Sequence, residues 1–268
     1  MSSYPHRIVC LTEETTETLY LLGEDWRIVG ISGFTVRPAR ARKEKPKVSA
    51  FTSAKIDKIL ALKPDLVLGF SDLQADIAAE LIRAGVEVHV YNQRSVAEIL
   101  GMIRSLAGMI GAQARGALLV EELEMGLART AKRAALLARR PRVYFEEWDE
   151  PQISAIRWVS ELVGIAGGDD CFPELAARSL GRDRIIADPL EVPRRAPDLI
   201  LGSWCGKKFS KKAVCARAGW AHVPAVRDGA LYEIKSPLIL QPGPAALTDG
   251  VAALEQAILD WCALTAAR

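Results

Sequence analysis

Long apolar runs are missing from this sequence. The most apolar later stretch, Ile99 to Ile110, is interrupted by Arg104, and Ile8-Val9-Cys10-Leu11 is too short for the apolar centre of a secretory leader. No membrane insertion is expected. The chain as written reads as cytoplasmic, or as periplasmic if a leader has been removed. Net charge is scarce as well, at +2 over 268 residues. The basic residues cluster only at Arg37–Lys43 and Lys207–Lys212, which read as solvated surface, and no nucleic-acid-reading motif accompanies them. Nucleic acid is therefore not an expected partner. The cysteines (Cys10, Cys171, Cys205, Cys215 and Cys262) are odd in number and widely spaced. They form no C-x-x-C pair and no zinc-type cluster, so a structural metal is not expected and a reducing compartment fits them best. Cys10, Cys171 and Cys262 have apolar neighbours and read as core.

Catalytic signatures are also lacking. The chain has no G-x-S-x-G, no Walker A and no G-x-G-x-x-G, and none of His6, His89 and His222 neighbours a nucleophile. The acidic pairs Glu13/Glu14 and Glu146/Glu147 could do acid–base work, but carboxylates at a helix start equally suit the helix dipole. Cys205 has no identifiable base. A non-catalytic protein without an intrinsic cofactor is expected.

What the sequence does contain is a repeat. Pro64-Asp65-Leu66-Val67-Leu68-Gly69 returns 133 residues later as Pro197-Asp198-Leu199-Ile200-Leu201-Gly202, and Arg7-Ile8-Val9 returns as Arg142-Val143-Tyr144. Each copy is expected to run from its first strand through an acidic loop, Glu13-Glu14 or Glu146-Glu147, into a helix that ends near glycine. Apolar runs alternate with helical spacing, so the expected fold is α/β: two lobes, each a parallel sheet covered by helices. Residues 1–95 form the first lobe and 141–268 the second. Residues 96–140 lack proline and carry Leu118, Leu119, Leu123 and Leu127 at helical spacing, so they read as one or two helices bridging the lobes.

Ligands of open α/β sheets bind beyond the carboxyl ends of the strands, which directs attention to the loops there. Those loops hold much of the chain's sparse aromatic content: Phe34, Phe51, Phe70, Trp148 and Trp204 lie at or just past expected strand ends, with Tyr91 nearby. Such side chains suit the wall of a cleft for a bulky, flat ligand. Trp148, set among Glu146, Glu147, Asp149 and Glu150, is the least core-like.

Several of these segments together carry a resemblance. Ile8–Leu11, Thr16-Glu17, Leu21-Leu22-Gly23, Ile28–Ser32, Lys55–Gly69, Trp158–Gly168, Pro197–Gly206 and Gln241-Pro242-Gly243-Pro244 follow in the order seen in substrate-binding proteins of the cobalamin/ferric-siderophore class. Trp204-Cys205-Gly206 and Gln241–Pro244 look most like the cobalamin-binding branch. The resemblance implies two lobes bridged by one long helix and a corrinoid such as cobalamin, which brings its own cobalt, as ligand. It would place Phe34, Phe70, Trp148 and Trp204 around the corrin ring, and Phe51, Tyr91 and Cys205 are further expected ligand-binding residues. Glu147, Arg157 and Gln241 would face its amide arms. It also implies an ABC permease or a corrinoid-handling protein as partner and a monomeric chain. Haem, a siderophore or another metal chelate is the alternative ligand, with Tyr91 and Tyr144 as the plausible haem ligands. An enzyme acting on a tetrapyrrole-like ligand, through Glu13, Glu147 or Cys205, is a further alternative. Family members commonly dock through one acidic residue on each lobe; here Asp72 and Asp76 fit on the first, but Lys207, Lys208, Lys211 and Lys212 occupy the second. A cytoplasmic binding protein rather than a standard ABC-transporter subunit is therefore expected, with the transporter subunit as the alternative if a leader was removed.

Overall fold

Short apolar strands alternating with helices carry through to the structure, a computed structural model that describes residues 4–266. The first stretch comprises β1 (Ile8–Cys10), α1 (Glu13–Leu21), β2 (Ile28–Ser32), α2 (Ala41–Glu44), β3 (Lys47–Ser49), α3 (Ile56–Ala61), β4 (Leu66–Phe70), α4 (Ala75–Arg83) and β5 (Val88–Tyr91). Two helices follow, α5 (Val96–Met109) and α6 (Gln113–Ala134). The remainder comprises β6 (Arg142–Asp149), β7 (Gln152–Ser154), α7 (Arg157–Ala166), β8 (Asp169–Asp170), α8 (Pro173–Ala176), α9 (Glu191–Arg195) and β9 (Leu199–Gly202). It ends with α10 (Lys211–Cys215), α11 (Pro224–Asp228), β10 (Leu231–Glu233), α12 (Ser236–Ile239) and α13 (Val251–Ala266). The chain forms two compact units that divide within α6 after Leu123, with residues 94–96 counted in the second.

In the first unit every strand is parallel, in the order β3-β2-β1-β4-β5. The central strands are apolar throughout because both faces are covered, and Val9, Val67, Ile59 and Leu81 pack into one core. The second unit has the order β10-β9-β6-β7, with β8 also on β6; its strands are parallel except β7. Its core gathers Tyr144, Phe172, Trp204 and Trp220.

The repeat has an atomic basis. Asp65 accepts hydrogen bonds from the backbone N–H groups of His6 (2.7 Å) and Arg7 (2.9 Å), at the entry to β1. Asp198 accepts one from the N–H of Arg142 (2.9 Å), at the entry to β6. The Arg7 guanidinium meanwhile donates to the Leu62 and Lys63 carbonyls beyond α3, and that of Arg142 reaches the Arg195 carbonyl at the end of α9. In each copy the aspartate satisfies a strand's first donor and the arginine satisfies a helix's last acceptors. This is why an Arg-opened strand and a Pro-Asp-Leu strand recur together.

The connecting helices are two, broken at Gly111, which takes the left-handed conformation (φ 75°). The 22 residues of α6 span about 33 Å at the helical rise. Gly116 is where α6 meets α5 closely: a Cβ there would collide with Ala107. Further on, Arg133 makes a two-pronged bond to Glu255 of α13 at 2.6 and 2.7 Å.

One expectation fails in the second unit. Glu146 and Glu147 do not form a loop leading into a helix; they lie inside β6, which turns through Glu150-Pro151 into antiparallel β7 before α7 begins. Val143, Tyr144 and Phe145, all β-branched or aromatic, precede them and Trp148 follows, so strand pairing overrides the acidic composition. The elements α2, β3, β7, β8 and β10 are too short to show a period and went unread.

Candidate functional site

The chain of the first unit reverses direction across the sheet between β1 and β4, since β2 and β3 lie to one side of β1 and β4 and β5 to the other. In parallel α/β sheets such a switch point opens a crevice beyond the strand ends. Gln74 fixes the loops that border it. Its side-chain oxygen accepts from the Phe70 N–H (2.9 Å), and its amide donates to the carbonyls of Phe51 (2.8 Å) and Leu11 (3.3 Å). Just before it, Ser71 holds a left-handed backbone (φ 57°) at the end of β4.

On the β1 side of the crevice, α1 starts with Glu13 and Glu14, both buried. One Glu13 oxygen accepts the backbone N–H groups of Val36 and Arg37 (3.1 Å from the latter), while its other oxygen has no partner. Arg37 in turn donates to Glu17 at 2.9 Å, and Arg42 donates to the carbonyls of Gly33 and Thr35 at 2.8 Å each. The segment 33–37 is thereby tied down, with Phe34 standing out at its tip, 66% exposed. Arg37 and Arg42 are structural; the reading of Arg37–Lys43 as plain solvated surface is corrected for these two. Beside them a surface pocket of about 510 Å³ is lined by residues that include Glu17, Tyr20, Arg37 and Arg40.

Burial raises the Glu13 carboxyl to about 7, against the pull of the Val36 and Arg37 amides. Burial also raises Glu14 to about 7, against the pull of the Thr12 hydroxyl and the N–H of Glu14 itself and with repulsion from Glu13 and Glu17 adding to it; neither Glu14 oxygen has a partner at full hydrogen-bond geometry.

The second unit switches direction between β6 and β9. Here a fully buried carboxylate, Glu146, receives four donors. Arg217 contributes two (2.6 and 2.9 Å), the Trp204 indole one (3.0 Å) and the Tyr144 hydroxyl one (2.8 Å). An irregular register between Glu146 and Trp148 leaves Glu147 as an extra residue in β6. Glu147 pairs with its own arginine, the buried Arg184, at 2.6 and 3.1 Å. Each acidic residue of this pair therefore has a dedicated guanidinium, and removing one partner of such a buried pair costs about 3–5 kcal/mol.

The expected site residues fall into three groups. Phe34 and Cys205 are exposed, and Phe51, Trp148 and Gln241 are half-buried. The Trp148 indole donates to the Glu150 carbonyl (2.9 Å), and the Lys207 ammonium, bonded to Asp149 at 2.6 Å, lies 5.5 Å from the Trp148 ring. Phe70, Tyr91 and Trp204 are buried, which corrects the expectation of open loop side chains. Phe70 and Tyr91 are paired across β4 and β5 at their last residues, and Trp204 packs edge-on against Phe209 at 5.0 Å. Glu147 and Arg157 are engaged already, with Arg184 and with Glu161 (2.9 Å) respectively. Gln74, Arg184 and Arg217 went unread in the sequence, since each acts on a partner 30 or more residues away or through the backbone, which leaves no local pattern.

The catalytic alternative finds no support in this geometry. Desolvation, helped by the Glu147 carboxylate, pushes the Cys205 thiol above its ordinary range, away from the reactive thiolate. All five cysteines are free, with Cys10 buried and Cys171 and Cys262 half-buried. Among the described residues no group of His, Cys, Asp and Glu could hold a metal ion, and no helix is long and apolar enough to cross a membrane.

Residues 8–238 match the family described as periplasmic binding protein. The chain is a member of that family. It is 25% identical over 263 residues to an uncharacterized ABC transporter substrate-binding lipoprotein of Bacillus subtilis, covering 95% of this chain and 80% of the relative. It is 24% identical over 251 residues to a vitamin B12-binding protein of Vibrio parahaemolyticus, covering 90% and 85%. In fold it superimposes on a periplasmic heme-binding protein of Roseiflexus with a TM-score of 0.78, at 24% identity, covering 94% and 99% of the two chains. Both units thus have the class III substrate-binding architecture expected from the sequence. The expectation of a cytoplasmic protein gains nothing from these relatives, which are described as a lipoprotein and a periplasmic protein.

Proposed function

We propose that this periplasmic-binding-family chain is the substrate-binding component of an ABC-type transporter, exported to meet its permease, and that it holds a corrinoid such as cobalamin without transforming it. Membership of the family and the vitamin B12-binding relative support binding of a metal chelate. The observation that favours a corrinoid over haem is the state of the two tyrosines that could ligate haem iron. Tyr144 is wholly buried with its hydroxyl given to Glu146, and burial and that carboxylate hold its phenol well above the usual range. Tyr91 is buried too, its phenol pushed up to about 12 by desolvation. Neither is poised as a phenolate to serve as an axial ligand to haem iron, whereas cobalamin carries an axial base on its own nucleotide arm and needs none from the protein.

The side chains proposed to touch the ligand are Phe34, Phe51, Trp148, Cys205 and Gln241, the accessible members of the expected set. Phe70, Tyr91 and Trp204 would support them from beneath. Glu147 and Arg157 would orient neighbours through their ion pairs. A haem reading keeps one supporting observation: Lys208, Lys211 and Lys212 are exposed, which suits carboxylate arms. On the permease side, Asp72 and Asp76 are exposed at the start of α4, and the second unit offers those lysines in place of an acid.

Titrating the purified protein with cobalamin, cobinamide and hemin, followed by absorbance, tests the reading. Saturable shifts of the corrin bands are expected. Corrinoids that leave the spectrum unchanged up to high micromolar concentration, with a saturable Soret shift from hemin, would replace the corrinoid by haem.

A further inference from the structure

The acidic pair of each repeat copy meets a different fate. Glu146 and Glu147 of the second copy are each closed by an arginine, Arg217 and Arg184. Glu13 and Glu14 stand 133 residues earlier, the same separation that relates the two Pro-Asp-Leu strands, and no guanidinium closes them. Glu13 spends one oxygen on two backbone amides and has the other free; Glu14 has both free. Of the arginines nearby, Arg37 gives its side chain to Glu17 and Arg42 to the Gly33 and Thr35 carbonyls. A second, separate group points the same way. The Thr35 hydroxyl, on the segment whose next two amides Glu13 holds, is fully buried and also without a partner.

Leaving polar atoms buried and unpaired costs about 1–3 kcal/mol each, more for a charge, so native proteins rarely do it without a missing partner. These atoms sit where a ligand is expected on topological grounds. They follow directly on the end of β1, one of the two strands that flank the switch point, and border the loops fixed by Gln74. What the two carboxylates lack once ionised is hydrogen-bond donors, because an ionised carboxylate can only accept; the Thr35 hydroxyl can donate or accept.

We propose that Glu13 and Glu14, with Thr35, form a subsite that receives the N–H donors of the bound chelate, and that it selects a chelate with uncharged amide arms over one that presents carboxylates. Amide N–H groups on a corrinoid's periphery supply the missing donors. Haem propionates would set negative charge against negative charge and leave the orphan oxygens unpaired. The proposal rests on the chelate-binding reading above and names which arm chemistry the first unit reads.

The test compares wild-type protein with Glu14→Gln, Glu14→Leu and Glu13→Gln in absorbance titrations with cobinamide, cobalamin and hemin, each variant's melting temperature being recorded alongside. Losing a charge-assisted hydrogen bond predicts a corrinoid affinity roughly tenfold or more weaker in Glu14→Leu, a smaller loss in Glu14→Gln, and hemin affinity that rises or falls less. Because the Glu14 changes remove a buried carboxylate without a partner, and Gln at position 13 keeps an oxygen for the Val36 and Arg37 amides, the variants are expected to fold. Corrinoid affinity within about twofold of wild type in both Glu14 variants overturns the subsite and leaves the chelate reading standing. Equal losses for corrinoid and hemin overturn the selectivity. Wild-type protein that binds no tetrapyrrole overturns the chelate reading and the subsite with it.

Discussion

Glu14, in the first turn of α1, and Glu146, inside β6, are both fully buried carboxylates, yet their surroundings set them to opposite tasks. Glu146 is compensated by four donors and knits Tyr144, Trp204 and Arg217 into one network, so it rigidifies the second unit. Glu14 is uncompensated, and its ionisation opposes folding. The same holds in part for Glu13, whose Val36 and Arg37 amides recover some of the loss. Their folded values of about 7 lie above the ordinary 4.5, so between those limits the native state holds protons that the unfolded state has lost. Their contribution to stability is therefore favourable below pH 4.5, falls as pH rises towards 7, and is unfavourable above. A shift of this size corresponds to about 3 kcal/mol per group at most. Thermal melts of the unliganded protein from pH 5 to 8 should show stability falling with pH through this window. Glu14→Gln should flatten that slope and melt higher than wild type at pH 8; an unchanged slope would show that the carboxyl is relieved in some other way.

At the level of elements, close approach is bought with glycine at two places that matter here. Gly202 ends β9 directly beneath Phe209, the ring that braces Trp204, and any side chain there would occupy the ring's position. Gly116 lets α6 lie against α5 at Ala107, so the first half of the long helix stays seated in the first unit, where Arg115 also pairs with Glu24. Gly116→Val should force the two helices apart at a cost of about 1–3 kcal/mol, read as a lower urea midpoint, with loss of affinity for any ligand held by the first unit. Gly126, further along the same helix, would place a new Cβ no nearer than 3.8 Å to the end of the Arg129 side chain, so Gly126→Ala serves as the control and should be neutral or slightly stabilising. Equal effects at both positions would contradict the packing role of Gly116.

For the whole molecule, a binding protein that holds its ligand only when folded must be stabilised by it. At a hundredfold excess of ligand over the dissociation constant the gain is about 2.7 kcal/mol, which for a chain of this size is a melting temperature raised by roughly 5–10 °C. Cobalamin or cobinamide should produce that shift, and the shift should grow with the logarithm of concentration. A corrinoid-independent melting temperature would argue against the proposed function from a direction separate from the spectra.

The two-copy organisation was legible because its signal is local: Pro-Asp-Leu before an apolar run recurs after 133 residues and an arginine opening a strand after 135, and each such segment dictates its own hydrogen bonds. Strands β1, β4, β6 and β9 were legible from their apolar runs for the same reason. The fate of the acidic pairs was not. Glu13-Glu14 and Glu146-Glu147 look alike in sequence, and what separates them is whether Arg184 and Arg217, 37 and 71 residues from their partners, arrive to close them. Likewise Phe34 and Trp204 both follow a strand, yet one stands in solvent and the other is core, because only Trp204 has Glu146 and Phe209 to receive it. Local sequence determined which segments are strand and helix and that they are duplicated. Only the tertiary structure decided which charges are satisfied and which are left for a ligand, because compensation of a buried group depends on neighbours that folding, and not chain proximity, brings together.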